Sequence, residues 1–433
     1  MGVDPFRLPL RRGAVAAAAV AALLLSITLS QGDGAQAQTT MGPVNKAQSA
    51  GLVAKIRTFD VVSGDWDKQN GDDLLVVPHD PDALRQGEAQ SSVPLFYKNN
   101  GNGTYSRMPD SLPGRDRHGC AMDDMNEDSY LDFFCTEGFS STRGKELGIQ
   151  LPDGTFDDQA SERGMYIRGG GRYRGVALFD ANNDGFQDVY LTRYYGPNNW
   201  DGNFTPAEEN PYPNEFWLSR FAGSNYTRDP SFGLEQPIGA PKDSSSCVQG
   251  ADYNGDGYED LLVCGYTGLH LYRNNAGVSF TDVTTDLGIG GFAIDARLVD
   301  LDGDGDNDLV RTSGRLLVVR LWNGSAWNAP SYSLSFDKGA QDLALGDFNG
   351  DGRRDIFVTR ACINNADRTD LLLTNNGGGK FARTDIPGLG AGNGCGQSVA
   401  ATDYDRDGRT DFVVLNGHKK KAGPIQLWSY KPR

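Results

Sequence analysis

Seven acidic loops, each followed by an apolar segment rich in strand-forming residues, predict an all-β fold for this chain of 433 residues. The loops recur at intervals of 47 to 72 residues, close to the length of one blade of a β-propeller. The 56 glycines provide for many turns. These observations predict a seven-bladed β-propeller with four-stranded blades over residues 38–433.

The first 37 residues predict a secretory signal peptide rather than part of the propeller. Three arginines precede an apolar run from Ala14 to Leu29, and the small-residue pattern Ala35-Gln36-Ala37 follows. The run is shorter than the roughly 20 residues that a membrane span needs. We therefore expect cleavage after Ala37 and a secreted or extracytoplasmic protein without a membrane span.

Each repeat has the same predicted order of strands. One strand leads into the acidic loop, a second follows it, a third ends in a turn rich in Gly and Asn, and a fourth begins with an aromatic residue. These aromatic side chains are predicted to pack between blades: Tyr105, Phe156, Tyr226, Phe280, Trp327 and Phe381. The seventh repeat lacks a fourth strand, so residues 44–56 are predicted to supply it and to close the ring.

The acidic loops follow the pattern D-x-[DN]-x-D-G-x-x-D, as in DFNGDGRRD, which begins at Asp347. Positions 1, 3 and 5 offer hard oxygen ligands, position 7 offers a backbone carbonyl, and Asp at position 9 can bind through both oxygens. Six or seven oxygens suit Ca²⁺ better than Mg²⁺, which keeps more water. Glycine at position 6 permits the sharp turn. An EF-hand is excluded because position 12 is not Glu.

We therefore predict up to seven Ca²⁺ sites. Their ligands are Asp65, Asp67 and Asp73; Asp124, Asn126, Asp128 and Asp132; Asp180, Asn182, Asp184 and Asp188; Asp252, Asn254, Asp256 and Asp260; Asp300, Asp302, Asp304 and Asp308; Asp347, Asn349, Asp351 and Asp355; and Asp403, Asp405, Asp407 and Asp411. The loops at Asp300 and Asp403, with four Asp ligands each, are expected to bind tightest. The loop at Asp65, with Gln69 at position 5, is expected to bind weakest.

The loops and their flanking strands resemble FG-GAP/VCBS repeats, the units of the integrin α-chain propeller and of many secreted bacterial proteins. The segment GVALFDANNDGFQDVYLTRY is especially similar to the repeat pattern, and the resemblance covers about residues 44–430. It implies a propeller and calcium at the loop positions given above. It does not identify a ligand or an activity, because function depends on sites that vary among members of one fold.

The six cysteines fit an exported protein in an oxidising compartment. Two pairs flank the second and fourth acidic loops at positions that a hairpin register places opposite each other. The third pair falls on the ring face away from the calcium loops. The predicted disulfides are Cys120–Cys135, Cys247–Cys264 and Cys362–Cys395.

The face opposite the acidic loops is predicted to bind a partner. Two long loops, residues 78–94 and 194–217, lie on it, and the second has seven aromatic residues among amides and carboxylates, which suit sugars or protein surfaces. His79, His118 and His418 also fall in loops of this face. A pocket that joins His79, His118 and a basic residue would favour an enzyme, and a shallow aromatic patch would favour binding.

We therefore expect a monomeric binding or adhesion module for an extracellular protein or a glycan, with no catalytic residue assigned. A polysaccharide lyase or hydrolase on the same scaffold and a structural component of the cell envelope are the alternatives. The formal net charge of −16 argues against nucleic-acid binding, which needs a basic surface.

Overall fold

The computed structural model describes residues 43–79, 92–137, 145–165, 173–193, 214–235, 245–265, 268–327, 329–337, 339–360, 369–384, 386, 389, 396–417 and 422–430. The chain divides into two compact units, Met1–Thr40 and Met41–Arg433, and all of these residues lie in the second unit. The signal peptide, Cys362, Cys395, His418 and most of the two long loops therefore lie outside the described residues.

Within the described residues, 29 strands form seven antiparallel sheets, and each sheet is one blade. The strands β1 (Pro43–Asn45) and β2 (Lys55–Ile56) precede the first blade. Blade 1 contains β3 (Thr58–Gly64), β4 (Asp73–Pro78), β5 (Leu95–Asn99) and β6 (Tyr105–Arg107). Blade 2 contains β7 (Arg117–Asp123), β8 (Asp132–Glu137), β9 (Lys145–Gln150) and β10 (Phe156–Asp158). Blade 3 contains β11 (Tyr173–Phe179), β12 (Asp188–Arg193), β13 (Glu215–Arg220) and β14 (Asn225–Arg228), followed by a 3-10 turn at Pro230–Phe232.

The remaining blades repeat this order. Blade 4 contains β15 (Ser245–Ala251), β16 (Asp260–Gly265), β17 (Gly268–Asn274) and β18 (Phe280–Asp282). Blade 5 contains β19 (Asp295–Val299), β20 (Asp308–Thr312), β21 (Leu316–Arg320) and β22 (Tyr332–Ser335). Blade 6 contains β23 (Ala340–Gly346), β24 (Asp355–Arg360), β25 (Leu371–Asn375) and β26 (Phe381–Thr384). Blade 7 contains β27 (Gly396–Thr402), β28 (Asp411–Asn416) and β29 (Gly423–Tyr430). The seven-bladed propeller predicted from the repeats is thereby confirmed.

The ring closes through strands from both ends of the described chain, as predicted. β29 pairs with β1, with Val44 opposite Ser429, and with β2, with Lys55 opposite Pro424. The closing strand is split in two because a turn intervenes, in which Ala50 donates its backbone N–H to the carbonyl of Lys46. The outer edge of blade 7 is therefore covered, which removes an open sheet edge.

The predicted aromatic residues form the contacts between blades. All six are buried, and each packs against the blade that precedes it in the ring. Tyr105 joins Tyr404 in one core cluster, and the Phe156 ring lies 5.9 Å from that of Trp66. The hydrophobic core is thus a series of layers between blades, which explains why the second strands, such as β4, are buried along their whole length.

The first strand of each blade is the innermost one, and these strands surround a central cavity of about 480 Å³. Two disulfides link the first and second strands of their blades, Cys120–Cys135 and Cys247–Cys264, and in both pairs the cysteines are direct partners in the strand register. Two of the three predicted pairs are therefore confirmed. Among the described residues, no helix has the length and apolar character to cross a membrane.

Candidate functional site

The seven acidic loops connect the first and second strands of the blades and lie on one face of the propeller. Two positions have left-handed backbone conformation in every loop, with φ from 56° to 93°, and the first loop has a third such residue, Gly71. Position 4 is Lys68, Glu127, Asn183, Gly255, Gly303, Gly350 or Arg406, and position 6 is Asn70, Ser129, Gly185, Gly257, Gly305, Gly352 or Gly408. Sequence reasoning anticipated the conformation at position 6 and missed it at position 4, which three glycines of the repeat could have indicated.

The backbone N–H groups of each loop are held by its own acidic side chains. In the fourth loop, Asp252 accepts from the N–H groups of Asp256 at 3.2 Å and Gly257 at 2.8 Å. The amide oxygen of Asn254 also accepts from the N–H of Asp256 at 3.0 Å. The second, third and sixth loops have the corresponding bonds. These bonds curl the loop and bring the side chains of positions 1 and 3 together at the backbone N–H of position 5.

The aspartate at position 9 has a second role that the sequence did not indicate. Asp188 is fully buried and accepts two backbone hydrogen bonds, from Ala181 at 3.0 Å and from Ser219 on β13 at 2.7 Å. Its carboxylate therefore ties the acidic loop to the third strand of the blade. Equivalent pairs of bonds occur at Asp132, Asp260 and Asp308.

Burial raises the pKa of the position-9 aspartates, for example to about 8 in Asp188 and to about 6 in Asp308. Nearby carboxylates of the same loop raise the pKa further, those of Asp180 and Asp184 for Asp188 and those of Asp302 and Asp304 for Asp308. Burial and the neighbouring carboxylates therefore both disfavour the ionised form of the aspartate at position 9.

Carboxylate oxygens converge in the three loops that have Asp rather than Asn at position 3. In each of these loops, one oxygen from every member of the set lies within 4.8 Å of the others. The sets are Asp65, Asp67 and Asp73; Asp300, Asp302 and Asp304; and Asp403, Asp405 and Asp411. An all-oxygen set on a loop of this curvature fits a hard cation such as Ca²⁺.

Basic side chains of the chain itself neutralise part of this charge in three loops. Lys98 pairs with Asp67, Arg353 pairs with Asp351 at 2.6 Å, and Arg409 pairs with Asp407. The seven loops are therefore not equivalent, although the sequence pattern is nearly the same in all of them.

An asparagine at the end of the third strand links neighbouring acidic loops. The side-chain amides of Asn99, Asn274 and Asn375 donate to the position-2 carbonyls of the preceding loops, at 2.9, 2.8 and 2.7 Å. The backbone N–H groups of the same asparagines donate to the position-9 aspartates of their own loops at 2.7 to 2.8 Å. Each of these loops is thus connected to its neighbour through one side chain.

Aspartates five residues before the first loop aspartate also connect the innermost strands. Asp60 accepts from the backbone N–H of Cys120 at 2.9 Å, Asp295 from Leu343 at 3.0 Å and Asp342 from Val399 at 3.0 Å. Each bond joins one blade to the next. Sequence reasoning missed this set, although an aspartate recurs at this position in three of the seven repeats.

The opposite face brings together two of the three predicted histidines. The rings of His79 and His118 lie 4.9 Å apart, and both histidines contact Asp116. Phe59 stacks on His118 at 4.0 Å, and the guanidinium group of Arg174 lies 5.1 Å from the centre of the Phe59 ring. Burial lowers the pKa of His118 to about 4. His418 lies outside the described residues.

The central cavity reaches this histidine cluster. Its lining includes Phe59, His118 and Arg174 together with polar residues of the innermost strands, among them Asp342 and Ser398. The polar groups and the aromatic ring line a space within the size range of small-molecule sites, about 300–1,000 Å³. The two predicted binding loops lie mostly outside the described residues.

Comparison with protein families matches the FG-GAP-like repeat at residues 252–311, 300–358 and 347–414. These residues carry the last four acidic loops, so the resemblance inferred from the sequence is confirmed there. No curated protein matches the chain in sequence.

Comparison with solved structures finds matches of low sequence identity. A lectin of Agrocybe aegerita, described for specific recognition of non-reducing terminal N-acetylglucosamine, is 15% identical with a TM-score of 0.47, over 86% of this chain and 88% of that chain. BBS1N in complex with ARL6DN is 10% identical with a TM-score of 0.52, over 91% of this chain and 98% of that chain. A second structure of the BBS1N complex gives a TM-score of 0.50. At 10% identity, the likeness to BBS1N concerns the fold alone.

Proposed function

Because the chain contains FG-GAP-like repeats in a seven-bladed propeller, we propose that it is an exported binding module whose acidic loops hold Ca²⁺. The observation that carries the calcium proposal is the convergence of carboxylate oxygens within 4.8 Å in the loops that begin at Asp65, Asp300 and Asp403. The left-handed residues at positions 4 and 6 support it because they permit the sharp turn that the loop makes around its acidic side chains.

The residues of one loop have different roles in holding a cation. Positions 1, 3 and 5 direct oxygens toward the centre of the loop, and position 9 anchors that centre to the third strand. A bound Ca²⁺ would supply positive charge where the carboxylates repel one another. The chain's own bonds between Asp188, Ala181 and Ser219 keep the hairpin closed around that centre.

Export is supported by the two disulfides, which are typical of proteins in oxidising compartments. The predicted signal peptide adds to this proposal from the sequence side. Protease protection of the protein in intact producing cells, compared with its recovery from the medium and envelope, tests the location. Recovery of a full-length protein with residues 1–37 from the cytoplasm alone would contradict export.

We place the ligand site on the face opposite the acidic loops, at the mouth of the central cavity. Phe59 offers an aromatic surface, and Arg174, Asp342 and Ser398 offer hydrogen-bonding groups in the same lining. This combination suits a sugar or another small polar ligand, because the ring covers an apolar face while the polar groups fix the hydroxyls.

A glycan array probed with residues 38–433 in Ca²⁺ and in EGTA tests this proposal. Phe59→Ala and Arg174→Ala are expected to reduce the signal for any bound glycan. Phe221→Ala is the matched control, since Phe221 is 84% exposed in a turn on the acidic-loop side of blade 3. A bound glycan that is unaffected by both cavity substitutions would contradict the proposed site, and an array without any ligand would contradict glycan binding.

A carbohydrate-active enzyme is the second candidate, and one observation favours it. His118 and the basic residue Arg174 line the same cavity, with His79 beside them. However, His79 and His118 are only 6% and 8% exposed, which limits their access to a polymer. Incubation with a panel of polysaccharides tests this candidate, and it requires product formation that His118→Gln abolishes and His270→Gln does not.

A further inference from the structure

Three side chains with metal-binding groups meet between blades 1 and 2, far from the acidic loops. His79 directly follows β4, and its backbone N–H donates to the carbonyl of Arg57 at 2.9 Å. Asp116 precedes β7 and His118 is its second residue, so these two are separated by two positions along extended backbone and point to the same side. Two separate segments of the chain therefore supply one cluster.

The cluster is buried, and its polar atoms are poorly satisfied. His79, Asp116 and His118 are 6%, 8% and 8% exposed. Nδ1 of His79 lies 2.5 Å from Oδ1 of Asp116, and Nε2 of His118 lies 3.5 Å from the same oxygen. Within the described part of the chain, Nδ1 of His118 has no hydrogen-bond partner, while Nε2 has only the 3.5 Å contact with Asp116. Buried polar atoms without partners are rare in folded proteins and call for a ligand or another explanation.

We propose that His79, Asp116 and His118 bind one divalent transition metal ion, with Zn²⁺ as its representative. Two imidazoles and one carboxylate form a donor set typical of zinc and of other first-row transition metals, whereas Ca²⁺ selects oxygen ligands. One donor atom from each of the three residues lies within 4.8 Å of the other two.

The spacing of the donors suits such an ion. Ligands at about 2.0–2.1 Å from a tetrahedral zinc ion lie about 3.3 Å from one another. The 3.5 Å separation between His118 and Asp116 is already close to this value, and the 2.5 Å separation between His79 and Asp116 has to widen by less than about 1 Å. Phe59, stacked on His118, fixes the plane of that ring.

Three protein ligands leave a fourth coordination position. In zinc proteins, structural sites use four protein ligands, while sites that act on water or substrate use three. His118 is part of the lining of the central cavity, so an exogenous ligand has a route to this position. The site is independent of the acidic loops and of the proposed ligand, and it can exist without either.

Zinc titration of the mature protein, residues 38–433, tests the proposal. The protein is stripped with chelator, saturated with Ca²⁺ so that the acidic loops are occupied, and titrated with Zn²⁺ by calorimetry, with elemental analysis after gel filtration. We expect one tightly bound zinc per chain. His118→Gln and Asp116→Asn should each weaken binding by more than about tenfold, because even outer-sphere substitutions at metal sites cost about 10–100-fold.

His270→Gln is the matched control. His270 also faces an aspartate, with Nδ1 3.0 Å from Asp282, but this pair lies near the surface and belongs to no group of three potential metal ligands among the described residues. It should leave zinc binding unchanged. Circular dichroism checks that each variant folds. If His118→Gln does not fold, His118→Cys takes its place as the test variant, and it should still bind zinc because a thiolate is also a zinc ligand.

The visible spectrum of the Co²⁺-loaded wild-type protein provides a test that needs no variant. Intense tetrahedral bands are expected at one equivalent. Absence of these bands, absence of tight zinc binding, or zinc binding that survives both His118→Gln and Asp116→Asn would each overturn the proposal. Calcium-dependent stability would remain in those cases, so the calcium proposal is judged separately.

Discussion

Replacing Asp188 by Asn separates the two roles of position 9 in an acidic loop. The carboxylate of Asp188 is fully buried and accepts from the N–H groups of Ala181 and Ser219. An amide has one accepting oxygen, and its nitrogen cannot accept, so one buried N–H loses its partner. Leaving one buried donor unsatisfied costs about 1–3 kcal/mol, and this loss is expected even in EGTA.

Calcium adds a second, separable loss. One site at ten times its Kd stabilises the folded state by about 1.4 kcal/mol, and the substitution removes most of this in Ca²⁺. Asp184→Asn, at position 5 of the same loop, is the matched control. Asp184 is exposed, and its carboxylate accepts from Phe186 and Asn182 within the loop. It should lose the calcium contribution and retain nearly all of the stability measured in EGTA.

Urea unfolding of both variants and the wild type, in saturating Ca²⁺ and in EGTA, gives the change in unfolding free energy that each variant causes under each condition. Asp188→Asn should be less stable than Asp184→Asn in EGTA by about 1–3 kcal/mol. Equal stability of the two variants in EGTA would refute the anchoring role of position 9. Wild-type curves that coincide in Ca²⁺ and EGTA would refute the calcium contribution as well.

Three further predictions follow from the blades and their centre. Burial raises the pKa of Asp60 in the folded state to about 7. Above about pH 4 the folded state therefore holds a proton that the unfolded state has released. The stabilisation from this proton is complete at low pH and is lost as the pH rises through 7. Asp60→Asn should therefore flatten the decline in unfolding free energy between about pH 4 and 7, measured in saturating Ca²⁺, and an unchanged slope would contradict it. Calcium should dissociate first from the loop at Asp65, where Lys98 pairs with Asp67, and last from the loop at Asp300. The loop at Asp403 should release calcium before the loop at Asp300, because Arg409 neutralises part of its charge. Calcium-dependent chemical shifts of each loop measure this order, and a different order would contradict the prediction. Peptide mapping without reduction should find Cys362 linked to Cys395, and either cysteine in a free or different linkage would refute the third disulfide.

The features that recur along this chain were predictable, because seven copies of the repeat can be compared with one another. Seven copies of the acidic pattern specify the number of blades, and the position of Cys120 and Cys135 relative to their loop specifies a hairpin register, which the structure confirms. Residues 44–56 were assigned as the closing strand because the last repeat was one strand short. The turn that splits this strand was not visible, since residues 46–51 have no repeat for comparison.

Features that depend on a neighbouring blade were not predictable from one repeat. Asp60 looks like an ordinary polar residue in an inner strand, and its partner Cys120 lies in the next blade. The grouping of Asp116 with His79 likewise depends on where two blades meet. The left-handed residue at position 4 was missed for another reason: Lys68, Glu127 and Arg406 occupy it in some copies, and such residues seldom adopt positive φ.

The pairing of β29 with β1 and β2 sets the order in which this protein can complete its fold. The first strands of the described chain have no partner until residues 423–430 have been made. Six blades can form in sequence from neighbouring residues, while the seventh joins segments that are almost the whole chain apart. The ring therefore stays open, with the apolar sides of blades 1 and 7 uncovered, until the last strand has been made. A premature stop before Gly423 leaves β1 and β2 unpaired, and such a truncated chain should be cleared by proteases even though most of its blades are intact.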